Sequence, residues 1–228
     1  MTSRRLHNPH SESIDNYLKA ILALGGPEER RVPSTALAGH LGVAPASVTN
    51  MLQKLAAAPD SPVEYELHRG VRLSAAGKKR ALEIVRHHRL IETFLFEVLG
   101  YPLEEVHDEA ERLEHFISER FEERIAAKLG QPKIDPHGHS IPALDGRMPR
   151  QTSVPLSEVP GAGVFLVDSM ADHDPPTLKL LRTSGIHPGV RITVKNRNAA
   201  GDLRVRIGSK TVELPRWAAE AVRVCPAR

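Results

Sequence analysis

Residues His107 to His115 read His-Asp-Glu-Ala-Glu-Arg-Leu-Glu-His. On a helix, positions 107, 111, 114 and 115 share a face, which gathers two imidazoles (His107, His115) and two carboxylates (Glu111, Glu114). Such a face packs poorly against apolar neighbours, but its nitrogen and oxygen donors suit first-row divalent ions. It also fits a solvated charged face, since Asp108, Glu109, Arg112 and Glu119 surround it. His88 and Glu92 are spaced i, i+4 and could grip one ion, although a pair of this kind is usually a surface hydrogen bond. His137-Gly138-His139 is a third source of imidazoles, set in a loop, where histidines mostly do not ligate.

The chain has 228 residues, enough for a sizeable core and for two domains. It has no apolar run long enough to span a bilayer, and His7–Tyr17 is polar where the core of a signal peptide would lie. Cys225 is the single cysteine, which excludes an internal disulfide and any multi-thiolate zinc site. The expected location is therefore cytoplasmic, with no membrane partner. Charge is uneven: residues 1–80 hold 11 Lys/Arg against 7 Asp/Glu, and residues 81–130 hold 6 against 12. A basic front suits a polyanion, and an acidic middle suits cations.

Met1–His10 shows no periodicity. From Ser13, Ile14, Tyr17, Leu18, Ile21 and Leu22 recur at helical spacing, with Ser11 or Ser13 as N-cap and Gly25-Gly26-Pro27 as the stop. Ser34 is placed to cap a short helix through His40. Gly42 then turns the chain into a second helix, Pro45–Ala57, that buries Val48, Met51, Leu52 and Leu55. Its other face shows Ala46, Ser47, Thr49, Asn50, Gln53 and Lys54, small or hydrogen-bonding and without an acid. That face can approach phosphates and base edges in a major groove, as in a helix-turn-helix; an ordinary helical hairpin reads similarly. Val63–Leu67 and Val71–Leu73 form a hairpin around His68-Arg69-Gly70, which makes the unit a winged helix with Arg69 and Arg72 against DNA backbone.

Ser74 caps a long helix through about Leu99, with more apolar positions than one seam requires, so part of it should pack against a second subunit. Gly100-Tyr101-Pro102 breaks it, and a helix over Leu103–Leu129, bent near Ser118, carries the opening motif. Gln131–Pro160 reads as an irregular connector. Beyond Gly161, five short strands and a helix near Thr177–Thr183 suggest a small closed barrel. No glycine-rich phosphate loop, nucleophile elbow or dinucleotide fingerprint is present.

Ser47 to Leu55, Arg69-Gly70, His88-Arg89-Leu90 with Glu92, Val106 to Glu111, and Glu114-His115 together resemble the diphtheria-toxin-repressor family of metal-dependent transcription regulators over nearly the full length. The resemblance implies a mainly α chain with a small all-β domain: a winged helix-turn-helix over 1–74, a helical metal-binding and dimerisation domain over 75–145, and an SH3-like, FeoA-type barrel over 146–228. It implies a homodimer on double-stranded DNA with a palindromic operator. His88, Glu92 and His107 match one family metal site, completed from the SH3-like part near Asp174, with Asp172 and His173 as neighbours. Glu111, Glu114 and His115 match the other, together with position 16, here Asn16 where the family has Met or Asp. Asp15 or Glu12 could substitute for Asn16. Position 19 is Lys19 where manganese-responsive members have a carboxylate, so its charge opposes a second nearby cation.

Glu111 stands where iron-responsive members carry sulfur, and a carboxylate there favours Mn²⁺ over softer ions, with Fe²⁺ as the alternative. The expected mechanism is a metal-dependent repositioning of the two recognition helices of a dimer onto successive major-groove faces. Thr49, Asn50, Ser47 and Ala46 would meet bases, and Lys54, Arg69 and Arg72 would hold backbone. A metal-dependent hydrolase is the competing class, but it leaves the winged helix idle and lacks a separate general base.

Overall fold

The computed structural model describes residues 9–149 and 152–227. The chain folds as two units, one of Met1–His87, Glu114–Ser118 and Pro142–Met148, the other of His88–Leu113, Glu119–Ile141 and Pro149–Arg228.

In the first unit, α1 (Pro9–Gly25) buries Tyr17, Leu18, Ala20 and Ile21 along one stripe. It starts at Pro9, so Ser11 and Ser13 lie inside the helix and neither is its cap; residues 1–8 of the aperiodic stretch lie outside the described residues. α2 (Ser34–Leu41) begins at Ser34 itself, with Pro33 in the cap position and no side-chain cap bond. It ends on Gly42 at φ 64°, whose N–H reaches the Ala38 carbonyl. α3 (Pro45–Ala56) has proline in its first turn and turns Val48, Leu52 and Leu55 inward. These side chains close one core with α1, Leu37, Val63 and Val71.

β1 (Val63–Glu66) and β2 (Gly70–Leu73) pair antiparallel, Val63 opposite Leu73 and Glu66 opposite Gly70. Val32 adds a third rung, exchanging backbone hydrogen bonds with Val71 at 2.7 and 2.9 Å. Gly70 is required there twice over: its φ is +88°, and a Cβ would lie 2.4 Å from the Val32 carbonyl oxygen. α4 (Ala75–Glu97) starts after Ser74, whose Oγ accepts the Gly77 N–H at 3.2 Å, as the sequence predicts.

In the second unit, α5 (Val106–Leu113) and α6 (Glu119–Lys128) are separate helices rather than one bent helix. Residues 114–118 form the break, and the Glu114 carbonyl, which a continuing helix would use, faces His87 Nδ1 at 3.3 Å instead. Leu90, Ile125, Ala126 and Ile141 make a small helical core. Phe96, Leu99, Leu113 and Phe121 remain exposed.

The rest of this unit is one antiparallel sheet. It comprises β3 (Val154–Pro155), β4 (Gly163–Met170), β5 (Arg191–Arg197), β6 (Leu203–Ile207), β7 (Lys210–Leu214) and β8 (Val222–Pro226), in the order β3-β8-β4-β5-β6-β7. The order is linear: β3 and β7 end it and are not paired with each other, so hydrogen bonding does not close the expected barrel there. Alternate residues such as Leu203 and Val205 are buried while Arg204 and Arg206 are exposed, the period-2 pattern of a one-sided sheet. α7 (Pro175–Thr183) and α8 (Arg216–Glu220) add Leu178, Leu181, Ala218 and Ala219 to the buried set. A register shift between Val167 and Ser169 marks a bulge in β4.

Replacing Gly70 by alanine is expected to cost roughly 2–4 kcal/mol, because left-handed φ and a backbone clash combine. Gly42→Ala, at φ +64° with nothing within 4 Å of the added Cβ, should cost only about 1 kcal/mol. Chemical denaturation of both variants checks this, and equal losses would contradict the close approach of Val32.

Candidate metal centre

α4 and α5 bring three of the expected residues together. His88 Nε2 lies 3.0 Å from Glu92 Oε1 and 3.2 Å from His107 Nδ1, and His107 Nδ1 lies 3.4 Å from the same carboxylate oxygen. Glu111, one turn after His107 on α5, faces His88 Nδ1 at 3.7 Å, so the two α5 residues share the face turned to His88. Glu92 is wholly buried. Burial alone would raise its carboxyl pKa; the charge of His88 and hydrogen bonds from His107, His137 and His88 outweigh this and hold it well below the ordinary carboxylate range.

Two more residues join this group. His137, wholly buried, points Nδ1 at Glu92 Oε1 from 3.6 Å, and Asp172 completes a second set with Glu92 and His137 whose donor atoms lie within 4.8 Å of one another. The loop that presents His137 is held firmly. Asp135 Oδ1 accepts the backbone N–H groups of His137 and His139, both at 2.9 Å. The His137 carbonyl accepts the Met170 N–H at 2.9 Å. Gly138, at φ +93°, lets the loop touch β4, where a Cβ would lie 2.2 Å from the Asp168 carbonyl oxygen. Burial disfavours protonated His137, but the hydrogen bond and charge of Glu92 push its pKa up.

The acidic residue that reaches the group from the SH3-like part is Asp172. Asp174, two residues on, is exposed at the start of α7 and its carboxylate accepts the Thr177 hydroxyl. Asp172 also faces His139 Nδ1 at 3.4 Å and His173 Nδ1 at 3.6 Å. Burial opposes its ionisation, yet the His173 hydrogen bond and the His139 charge keep it below the usual carboxylate range. The only sequence signal for His137 was its place in a His-Gly-His loop, and nothing local distinguishes that from an idle surface loop.

A second group sits in the first unit. Asn16 Oδ1 lies 3.0 Å from His115 Nε2, and Glu114 Oε1 lies 3.3 Å from the same nitrogen. Lys19 donates to Glu114 Oε1 at 2.7 Å. Asp15 is buried, with Arg80 Nε at 2.5 Å and His115 Nδ1 at 3.6 Å. Burial would raise the Asp15 pKa; His115 and Arg80 bring it below its ordinary value. Glu12, the other acid near Asn16, is half-buried.

Buried atoms without a hydrogen-bond partner mark both groups: Glu92 Oε2, Asp135 Oδ2, His137 Nδ1 and His139 Nδ1 in one, His115 Nδ1 in the other. Such atoms are costly unless something satisfies them. Imidazole and carboxylate atoms 3.0–3.6 Å apart also have the spacing of ligands about 2.0–2.2 Å from a common ion. The residues therefore fit a divalent cation.

On α3, Ala46, Ser47, Asn50 and Lys54 are exposed, and Thr49 is partly exposed with its hydroxyl donating to the Pro45 carbonyl at 3.2 Å. On the wing, Arg69 pairs with Glu66 at 2.9 Å and Arg72 with Glu64 at 2.6 Å.

A winged helix whose α4 runs on into a buried imidazole–carboxylate cluster, followed by an SH3-like sheet, is the plan of a metal-dependent DNA-binding regulator. Residues 10–71 match the model of the iron dependent repressor N-terminal DNA binding domain, 74–143 the iron dependent repressor metal binding and dimerisation domain, and 154–226 the FeoA domain. The chain is 33% identical over 169 residues to the iron-dependent repressor IdeR of Mycobacterium leprae, covering 69% of this chain and 74% of that protein. It is 27% identical over 225 residues to the diphtheria toxin repressor of Corynebacterium glutamicum, covering 93% and 96%. A solved manganese-dependent transcriptional repressor in complex with manganese is similar over 94% of this chain and 100% of its own, at 38% identity and a TM-score of 0.85. The chain belongs to the diphtheria-toxin-repressor family of metal-dependent transcriptional repressors.

Lys19→Gln should destabilise the metal-free protein by about 1–3 kcal/mol, discounted from a fully buried pair because Lys19 is partly exposed. Lys19→Gln with Glu114→Gln should recover much of that loss, since no carboxylate is then left buried without its cation. Urea denaturation of the four-protein cycle in chelator measures the coupling, and additive losses would show that the pair is not coupled.

Proposed function

We propose that the protein is a manganese-responsive transcription regulator that acts in the cytoplasm as a homodimer on a palindromic operator. The observation that carries this reading is the buried Glu92 facing three imidazoles, with unsatisfied donor atoms around it. The ligand set proposed is His88, Glu92 and His107, with Asp172 and His137 alongside, and Asn16, Glu114 and His115 in the other group. Its donors are imidazole nitrogen and carboxylate or amide oxygen. Such a set favours Mn²⁺ over softer ions. The manganese complex of a similar repressor supports the same ion, while the relatives named for iron keep Fe²⁺ as the alternative.

A bound divalent ion supplies positive charge that cancels the repulsion among the carboxylates. In the first unit, Asn16 on α1 and His115 beyond α5 would then be drawn to one point, pinning the winged helix's first helix to the 114–118 segment. In the second, α4, α5, the His137 loop and the segment before α7 would be drawn together around Glu92. The exposed Phe96, Leu99, Leu113 and Phe121 are the apolar surface proposed to pair the subunits. Fixing these elements narrows the ensemble to the spacing at which two α3 helices meet one face of the duplex, and affinity rises with that population.

In this reading Ala46, Ser47, Thr49 and Asn50 face base edges, and Lys54, Arg69 and Arg72 hold phosphates. The wing pairs of Arg69 and Arg72 are exposed and worth about 0–1 kcal/mol, so exchanging a glutamate for a phosphate costs little. The protein acts by binding and not by catalysis: Glu92 and His137 are 0% exposed, which leaves no open coordination face for a substrate.

Gel-shift titration on genomic fragments selected by the protein should show tight binding with Mn²⁺ and its loss in chelator; equal affinity in both would overturn the reading. Asn50→Ala should weaken specific binding by roughly 5- to 100-fold. Lys54→Ala should instead weaken binding uniformly across sequences and reduce the salt slope by about one.

A further inference from the structure

We propose that the cluster around Glu92 holds two divalent cations, with Glu92 as the carboxylate they share, one ion on His88 and His107 and the other on His137 and Asp172. This rests on the metal-responsive reading above and extends it.

Donor atoms gather here in two sets, His88–Glu92–His107 and Glu92–His137–Asp172, each within 4.8 Å, and Glu92 is their common member. Ligand atoms about 2.0–2.2 Å from an ion can be no more than about 4.4 Å apart, even on opposite sides of it. Each set therefore has the size of one coordination sphere. Glu92 has an oxygen for each ion. Oε1 faces the imidazole nitrogens, and Oε2 is buried with no hydrogen-bond partner.

His137 gives the second ion its independent support. Its Nε2 lies 3.3 Å from the Leu103 carbonyl oxygen, a contact that places the proton on Nε2. The neutral ring then turns its Nδ1 lone pair toward Glu92 Oε1, 3.6 Å away, and two lone pairs face each other in a wholly buried place. Only a cation or a second proton between them removes that repulsion. An outer contact that orients a histidine toward a metal is the usual supporting arrangement at metal sites.

Asp135 supports the same side. One of its oxygens holds the His137 loop through two N–H bonds, and the other, without a hydrogen-bond partner, faces His139 Nδ1 at 3.4 Å. Glu92, Glu111, Asp135 and Asp172 with one guanidinium, Arg89, at 3.6 Å from Asp135 supply enough negative charge for a second divalent ion. With one imidazole and two carboxylates, the second set is the harder of the two, so Mn²⁺ suits it at least as well as the first.

The test is Mn²⁺ bound per full-length chain after dialysis, by metal analysis, together with anomalous diffraction of manganese-loaded crystals at the manganese edge. Two peaks about 3.5–4 Å apart at Glu92 are expected. His107→Gln and His137→Gln should each lose about one ion per chain, the double variant about two, and Glu92→Gln about two. Asp172→Asn repeats the second arm should His137→Gln fail to fold. One peak, or a double variant that loses no more than either single one, would overturn the shared-carboxylate pair while leaving the regulator reading intact. No peak at the cluster would overturn both.

Discussion

A carboxylate taken wholly out of water has to be matched, and Glu92 is the point at which this chain meets that requirement. Removing a charge from water costs several kcal/mol even after relaxation, and close opposite charge recovers it only when the geometry is good. Four segments far apart in sequence converge to supply that geometry: α4 with His88, α5 with His107, the loop with His137, and the end of β4 with Asp172. The Asp135 bonds, the Gly138 approach to β4 and the break after Gly100 are all consistent with holding those segments in place.

Elsewhere the protein neutralises its partly buried or clustered acids with fixed charges. Arg80 holds Asp15, Lys19 holds Glu114, and Arg69 and Arg72 hold the wing glutamates. Around Glu92 the partners are imidazoles, whose charge is optional near neutral pH and whose nitrogens are also metal ligands. This difference in partner chemistry separates a structural ion pair from a site that can respond to an ion. It also separates the two candidate groups, because the one on α1 already contains an ammonium against its carboxylate.

The two groups bear on different parts of the fold. One touches the first helix of the winged helix and the segment that follows α5. The other joins the helical part of the second unit to its SH3-like sheet, through side chains from both. α4 is common to the chain of both units, contributing Arg80 to the first group and His88 and Glu92 to the second. A rigid helix shared in this way lets charge compensation at its far end bear on the element that carries the reading head, since helices transmit displacement with little bending over this length.

Local pattern settled much of this molecule. Apolar spacing, proline and glycine placement and the basic hairpin tip define α1 to α4 and the wing, because helices and hairpins are written in contacts a few residues apart. The i, i+4 rule put His88 beside Glu92, and resemblance to a known family added His107. What sequence did not reveal depends on long-range packing. His137 looked idle until the loop folded onto β4. Asp172 rather than Asp174 faces the cluster because the β4 end and the α7 start fix where each side chain points. The single helix expected over 103–129 is broken at Glu114 and His115, whose groups are drawn to α1 and His87, contacts from about 27 to 99 residues away in the chain. Side-chain types and their short-range spacing determined which chemistry was available; which atoms share one site was decided by tertiary structure, since only packing brings distant donors within a coordination radius.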